Sequence, residues 1–301
     1  MATDSAVASL ARRDGSSIGR CSTSLRYRAA MDAATTPLDD WPAELPEPIG
    51  LEPLAGGWVG HTRLATLKDG RRVVVKDCPY PVLGEADGLA ALRRAGVPTP
   101  DVLAATGSRL VLDYLDGTPD WAAMGGAIAR MHRFTGPKYG WHLDNRAGRF
   151  VQPNGWLDDW PTFFAERRIR THLGDPTIPA EVVVRLQRAC DGPIQESLPA
   201  RPVPSLTHGD LWTGNTVAGR WVIDPEVSFT DRELDLVHML GASRNPFPPE
   251  FWEAYEHDWP IPDDFDHRRR VLGLHHRLLG VRHFGDRSVP ALVADLDALG
   301  W

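Results

Sequence analysis

The chain has 301 residues, 42% of them hydrophobic and 24% charged, with a formal net charge of −7. That much apolar material excludes global disorder, and an isoelectric point near 5.9 argues against a dedicated nucleic-acid binder. Cys21, Cys78 and Cys190 are odd in number and form no CxxC pair, which argues against a disulfide framework or a cysteine zinc site. No apolar run reaches the roughly 18 residues of a membrane span, and the N-terminus lacks the apolar core of a signal peptide. A cytoplasmic monomer without nucleic-acid or membrane partners is expected.

Residues 1–46 are rich in Ala, Ser, Thr, Asp and Arg and read as a flexible extension. Ile49–Leu54 and His61–Leu67 read as strands flanking the glycine-rich Ala55-Gly56-Gly57-Trp58-Val59-Gly60. Asp69-Gly70 is a hairpin pair, and Arg71–Asp77 supplies a third strand around Val73-Val74-Val75-Lys76. Glu85–Ala95 has helical spacing with Gly96 as its stop. Val102–Thr106 and Arg109–Tyr114 are further strands, and the turn-rich Asp116-Gly117-Thr118-Pro119 marks a lobe boundary. Helices are predicted over Asp120–Phe134, Asp159–Leu173, Pro179–Cys190, Arg232–Ala242, Pro249–His257, Asp263–Phe284 and Ser288–Leu299. Short strands around Thr216–Val217 and Trp221–Ile223 interrupt them. The expected fold class is α+β: a small antiparallel-sheet lobe over 47–116, then a larger, mainly helical lobe over 117–301.

The densest chemistry lies in Thr207-His208-Gly209-Asp210-Leu211-Trp212-Thr213-Gly214-Asn215, with Asp224 nine residues on. Phosphoryl transfer from ATP needs a carboxylate for the attacking hydroxyl, oxygen ligands for Mg²⁺ and a cation on the donor phosphates. Asp210 fits the base. Asn215 and Asp224 fit the metal ligands, since Mg²⁺ takes few protein oxygens. Lys76 fits the phosphate cation, with Glu85 on the next helix to aim it. The Lys76 assignment gains weight from composition, because the chain has 33 Lys+Arg of which only Lys68, Lys76 and Lys138 are lysine. Gly56 and Gly57 would cover the nucleotide with backbone N–H groups. Val111, Asp113, Tyr114 and Leu115 would present apolar side chains and free backbone to an adenine, or form an ordinary buried strand; the segment alone favours neither reading. ATP and Mg²⁺ are therefore the expected cofactors.

This order of parts resembles the protein-kinase-like enzymes, with His-Gly-Asp in place of His-Arg-Asp and Asp224-Pro225-Glu226 in place of Asp-Phe-Gly. It is most similar to the aminoglycoside/choline phosphotransferase superfamily. Gln152-Pro153-Asn154-Gly155-Trp156-Leu157-Asp158-Asp159-Trp160, together with HGDLWTGN, narrows the resemblance to the fructosamine/ketosamine-3-kinase family over about Ile49 to Phe284. The resemblance implies a two-lobed kinase fold. It also implies transfer of the ATP γ-phosphate to the 3-hydroxyl of a ketosamine, such as a fructosamine or ribulosamine, whose breakdown frees the amine. Related kinases with another hydroxyl acceptor, or a nucleotide-binding pseudokinase, are the alternatives. Trp58 stands in a loop where some relatives carry cysteine, so thiol regulation there is not expected.

Other polar residues have plainer readings beside the functional ones. His208 is expected to hold its loop, and Asp231, Arg232 and Asp235 to form a buried ion network. Asn154, Trp156, Asp158 and Trp212 are candidates for an acceptor pocket with a carboxylate and tryptophan rim, although Asp158 or Asp159 could cap the following helix. His267, His275, His276 and His283 read as a solvated or partly packed helix face.

Overall fold

The computed structural model describes residues 41–54, 60–241 and 246–301. Residues 1–40 of the expected extension, and Gly56, Gly57 and Trp58 of the glycine-rich connection, lie outside the described residues.

The first lobe is a five-stranded antiparallel sheet: β1 (Pro48–Pro53), β2 (His61–Leu67), β3 (Arg72–Asp77), β4 (Val102–Thr106) and β5 (Arg109–Asp113), in the order β1-β2-β3-β5-β4. Gly70 closes the β2–β3 hairpin at φ 85°, where a glycine carries no Cβ penalty. Alternation along β3 sends Val73 and Val75 into one core layer with Leu67, Ala104 and Val111. Val74 faces the other layer, with Leu89, Leu110 and Leu112, and Lys76 follows it on that side. That layer is covered by α1 (Leu83–Arg94), which buries Gly88, Leu89, Ala91 and Leu92. A period of two thus puts the lysine on the face that meets the helix bearing Glu85.

The second lobe is mainly helical. Its helices are α2 (Trp121–His132), α3 (Trp160–Phe164), α4 (Ala180–Cys190), α5 (Pro193–Ser197), α6 (Glu233–Gly241), α7 (Pro249–Asp258), α8 (Phe265–Phe284) and α9 (Val289–Leu299). One core joins α2, α6 and α7 through Ile128, Leu236, Phe251 and Tyr255. A second joins α3, α4, α8 and α9 around Trp160, Leu186, Leu274 and Leu292. Among the described residues, no helix is long and apolar enough to cross a membrane.

The expected helix Asp159–Leu173 is corrected in detail. After α3 the chain widens into a π-turn over Ala165–Ile169 and ends in a 3₁₀ turn over Arg170–His172. The widening coincides with the fully buried Arg168, whose guanidinium donates to Pro153 O, Asn154 Oδ1 and Ser228 Oγ. Three-residue strands also went unpredicted: β6 (Asn145–Ala147) with β7 (Phe150–Gln152), and β8 (Ser205–Thr207) with β11 (Ser228–Thr230). The two predicted short strands are present as β9 (Thr216–Val217) and β10 (Trp221–Val222), which pair as an antiparallel hairpin.

Of the α8 histidines, His267 is exposed and His276 and His283 are half-buried, a partly packed face as expected, whereas His275 is buried. His275 is 3% exposed, with Nδ1 at 3.3 Å from His172 Nε2 and 3.1 Å from Arg168 O. Arg282 donates to His172 Nδ1 at 3.0 Å, which keeps that nitrogen unprotonated. Burial, reinforced by Arg282 and Arg168, pushes His172 down to about 3. Burial, with His276 and His172 beside it, likewise pushes His275 well below the usual range.

Two predictions follow from packing. A Cβ on Gly125 of α2 would overlap the Phe251 carbonyl of α7. Gly125→Ala should therefore destabilise the protein by about 2–3 kcal/mol in chemical denaturation, the range of core overpacking. The neutral buried histidines bind protons more weakly than their unfolded counterparts at about 6.5. Their contribution to stability is full above that value and is lost as pH falls toward about 3. Glu85 and Asp231, raised by burial to about 7, act in the opposite sense, so a difference measurement is needed. The stability advantage of wild type over His275→Gln should narrow from pH 7 to pH 5; a constant difference would mean that the ring binds its proton equally well in the folded and unfolded chain.

Candidate active site

The pairing of β8 with β11 and the turn into β9–β10 bring His208, Asp210, Asn215 and Asp224 to one place. His208 is fully buried. Its Nε2 lies 3.0 Å from Ile223 O, and its Nδ1 accepts the Asp210 N–H at 3.3 Å. Those partners select the neutral Nε2–H tautomer, and burial pushes the imidazole below its ordinary range. His208 thus ties the loop to the residue before Asp224, as the sequence suggested. Gly209 adopts φ 88°, and a Cβ there would stand 2.5 Å from Glu226 O, so no other residue fits between His208 and Asp210.

The loop hangs from Asp235 on α6. This carboxylate is 1% exposed and accepts N–H bonds from His208 at 2.7 Å and Gly209 at 2.9 Å, with His132 Nε2 at 3.1 Å. Burial opposes its ionisation, but His132 and His208 hold the carboxyl below its usual range. Arg232 donates to Tyr255 Oη, Trp259 O and Pro260 O, and Asp231 accepts from the Glu233 N–H. The expected buried ion network is corrected: all three residues are buried, but Arg232 bonds neutral oxygens, and the partners given above for Asp231 and Asp235 do not include it.

Asp210 itself accepts Asn215 Nδ2 on Oδ2 at 2.8 Å, and its Oδ1 lies 2.8 Å from His238 Nε2. Burial works to raise it, but His238, then His208 and Asn215, keep it below the ordinary aspartate range. Across the cleft, Lys76 Nζ is 2.7 Å from both Glu85 Oε2 and Asp224 Oδ1. Burial disfavours the ammonium, but the two carboxylates more than compensate and hold it charged. Glu85 is raised to about 7 by its own burial, against the pull of Lys76. Asp224 takes up φ 55°, which is unusual outside glycine and marks a backbone held by its surroundings.

Lys76, Glu85, Asp210, Trp212, Asn215 and Asp224 line one cavity of about 1020 Å³. Its far end is built by α6, α8 and α9 with Val237, Leu240, Arg269, Arg277 and Phe284. The expected carboxylate and tryptophan rim is therefore corrected: of the candidates, only Trp212 lines the cavity, and the α6–α8–α9 end is mostly apolar and arginine-lined, with Asp295 its carboxylate. Asn154 is wholly buried and serves Arg168; Trp156 stacks on Phe229 at 6.2 Å; Asp158 sits on the surface beside Lys138. None of these three lines the cavity. Asp159 caps α3 through the Thr162 N–H at 3.0 Å. Val111 is also corrected. It is buried in the sheet and paired with Val75 on one side and Ala104 on the other, so its backbone is not free. Asp113 accepts the Asp101 N–H, and Tyr114 lies under Arg72 at 4.1 Å. Neither they nor Leu115 line the cavity.

Sequence reasoning missed His238 and His276, both on the cavity wall. His276 stacks on His238 at 4.3 Å, and burial pushes it down to about 3. The available signal was the position of His238, one helical turn after Asp235.

A fructosamine kinase family model matches residues 53–299. An Escherichia coli K12 protein named "Probable ketoamine kinase YniA" is 36% identical over 231 residues, covering 71% of this chain and 79% of that protein. A crystal structure from Thermobifida fusca, named for fructosamine-3-kinase, superposes with a TM-score of 0.76 at 26% identity, over 85% of this chain and 96% of that one. An aminoglycoside phosphotransferase structure, solved with AMP-PNP and hygromycin B, shares the fold at TM-score 0.56 and 16% identity, over 84% and 94% of the two chains. With the two-lobed kinase-like architecture in place and the family match spanning both lobes, the chain belongs to the fructosamine kinase family.

Proposed function

We propose that this protein is an ATP-dependent ketosamine kinase of the cytoplasm. It would transfer the γ-phosphoryl group to the 3-hydroxyl of a fructosamine or ribulosamine, and breakdown of the phosphorylated adduct would release the amine. The observation that carries the reading is the gathering of Lys76, Asp210, Asn215 and Asp224 around one cavity in a chain of this family.

The roles follow from position. Asp210, kept ionised by its neighbours, accepts the hydroxyl proton as that oxygen attacks the γ-phosphorus and the bond to ADP breaks. Lys76, already charged and aimed by Glu85, neutralises the donor phosphates; nucleotide would relieve it of its contact with Asp224. We place the nucleotide between a first lobe over 47–116 and a second over 117–301, with the phosphates in the cavity and the adenine extending beyond its lining toward Tyr114 and Leu115, just past β5.

The residues present fit a hard divalent cation. Asn215 spends its amide N–H groups on Asp210 O and Oδ2, which leaves its amide oxygen as the remaining donor, and Asp224 offers a carboxylate. Among the described residues, no group of three or more His, Cys, Asp or Glu gathers for a metal. That suits Mg²⁺, which completes its shell with phosphate and water. When bound, it would neutralise charge on the phosphates. Rate would come from positioning and charge complementarity, with no covalent enzyme intermediate.

Two measurements test the reading. With Mg-ATP and a fructosamine or ribulosamine, Asp210→Asn should lower kcat by about 10³-fold, within the range for a general base. A residual rate within a few-fold of wild type would remove Asp210 from that role. Phosphorylation of another alcohol but of no ketosamine would sink the acceptor class alone. Lys76→Arg should lower kcat/KM for ATP by at least about 10-fold, because a planar guanidinium cannot replace a point charge between two carboxylates. Near-normal ATP use by that variant would count against the phosphate role.

A further inference from the structure

His238 stands on α6, one helical turn past Asp235. The helix that suspends the catalytic loop through Asp235 therefore also returns an imidazole to the loop's own carboxylate. His238 Nε2 lies 2.8 Å from Asp210 Oδ1, while Asn215 Nδ2 occupies Oδ2 at 2.8 Å. One donor on each oxygen, from two separate elements, fixes the carboxylate plane. Each oxygen keeps a second lone pair. An imidazole beside a carboxylate turns an N–H toward it, not a lone pair, so Nε2 is the donor. The ring is backed by His276 of α8, stacked at 4.3 Å with 24° between the planes. Both ring nitrogens of His276 are buried, and the Gly209 backbone of the catalytic loop lies beside the ring. Both rings line the cavity where the acceptor would enter.

We propose that His238 is a positioning residue for phosphoryl transfer, holding the Asp210 carboxylate so that a free lone pair meets the acceptor hydroxyl. The inference rests on the kinase reading above. The hydroxyl proton ends on Asp210, and His238 keeps its own N–H throughout. The competing role is mere packing against His276, and the choice of substitution separates the two. Glutamine places an amide N–H near the Nε2 position but loses the stacked ring. Phenylalanine keeps a ring against His276 but cannot donate.

The test compares His238→Gln, His238→Phe and His238→Ala for kcat, for KM of ATP and for melting temperature. The expected result is a kcat loss of about 10- to 100-fold in the Phe and Ala variants, the size of a modest misplacement. The Gln variant should stay within about 3-fold of wild type, and KM for ATP within about 2-fold in all three. A Phe variant within about 3-fold of wild type, or a folded Gln variant as slow as Ala, overturns the proposal. Imidazole ¹⁵N resonances of the nucleotide-free protein give a readout independent of turnover and of variant folding at 238. Asp210→Asn should shift the His238 Nε2 signal; an unmoved signal means that the contact is absent and also overturns the proposal. If wild type phosphorylates no alcohol acceptor at all, the kinase reading fails, and the resonance measurement still decides the contact.

Discussion

The catalytic loop depends on one buried carboxylate. Asp235 receives the backbone N–H groups of His208 and Gly209 and faces the imidazole of His132, all out of water. A lone ionised carboxylate in that place would be costly, and what makes it tolerable is that three donors from two chain segments converge on it. The same convergence fixes the loop's backbone. With Gly209 at φ 88° and His208 bound to Ile223 O, the direction of Asp210 is set before any ligand arrives. α2 contributes His132, α6 contributes Asp235, and α7 contributes Tyr255, which lies 2.8 Å from His132 Nδ1. The helical core and the site are thus one hydrogen-bonded object.

A second charged contact joins the lobes. Lys76 belongs to the sheet, Glu85 to the helix on that sheet, and Asp224 to the far lobe. Two carboxylates on one ammonium leave a net negative charge in the absence of ligand, and burial raises Glu85 in response. A phosphate group would restore balance on the Lys76 side, and a cation would do so on the Asp224 side. The triad is therefore built for partners it must share, and its electrostatic excess is resolved by the ligands that phosphoryl transfer requires.

Legibility from sequence followed the range of the interactions involved. β2 and β3 were readable because Asp69-Gly70 imposes the turn and valines alternate beside it. Lys76 was readable because alternation places it on the helix-facing side of a short strand. The π-turn after α3 was not, because hydrophobic spacing over Asp159–Leu173 does not register one extra residue. The three-residue strands β8 and β11 were too short to show any period, although they position the catalytic loop. Asn154 was misplaced because a polar residue in a specific motif suggests a ligand, whereas its partner is the buried guanidinium of Arg168, fourteen residues on. His238 gave only a helical position, with nothing to say which face would meet Asp210.

The sequence by itself determined the α+β order of elements, the identity of the chemical groups and their order along the chain. These rest on local geometry: turn residues, strand alternation and helix stops act within a few positions. Only the tertiary structure decided which of those groups share a cavity. Lys76 and Asp224 stand 148 residues apart, and Asp210 and His238 lie on different elements. It also decided which polar side chains are spent inside. The wholly buried Asn154, Arg168 and Asp235 have no local mark of burial, because burial is set by segments that meet only when the chain has folded.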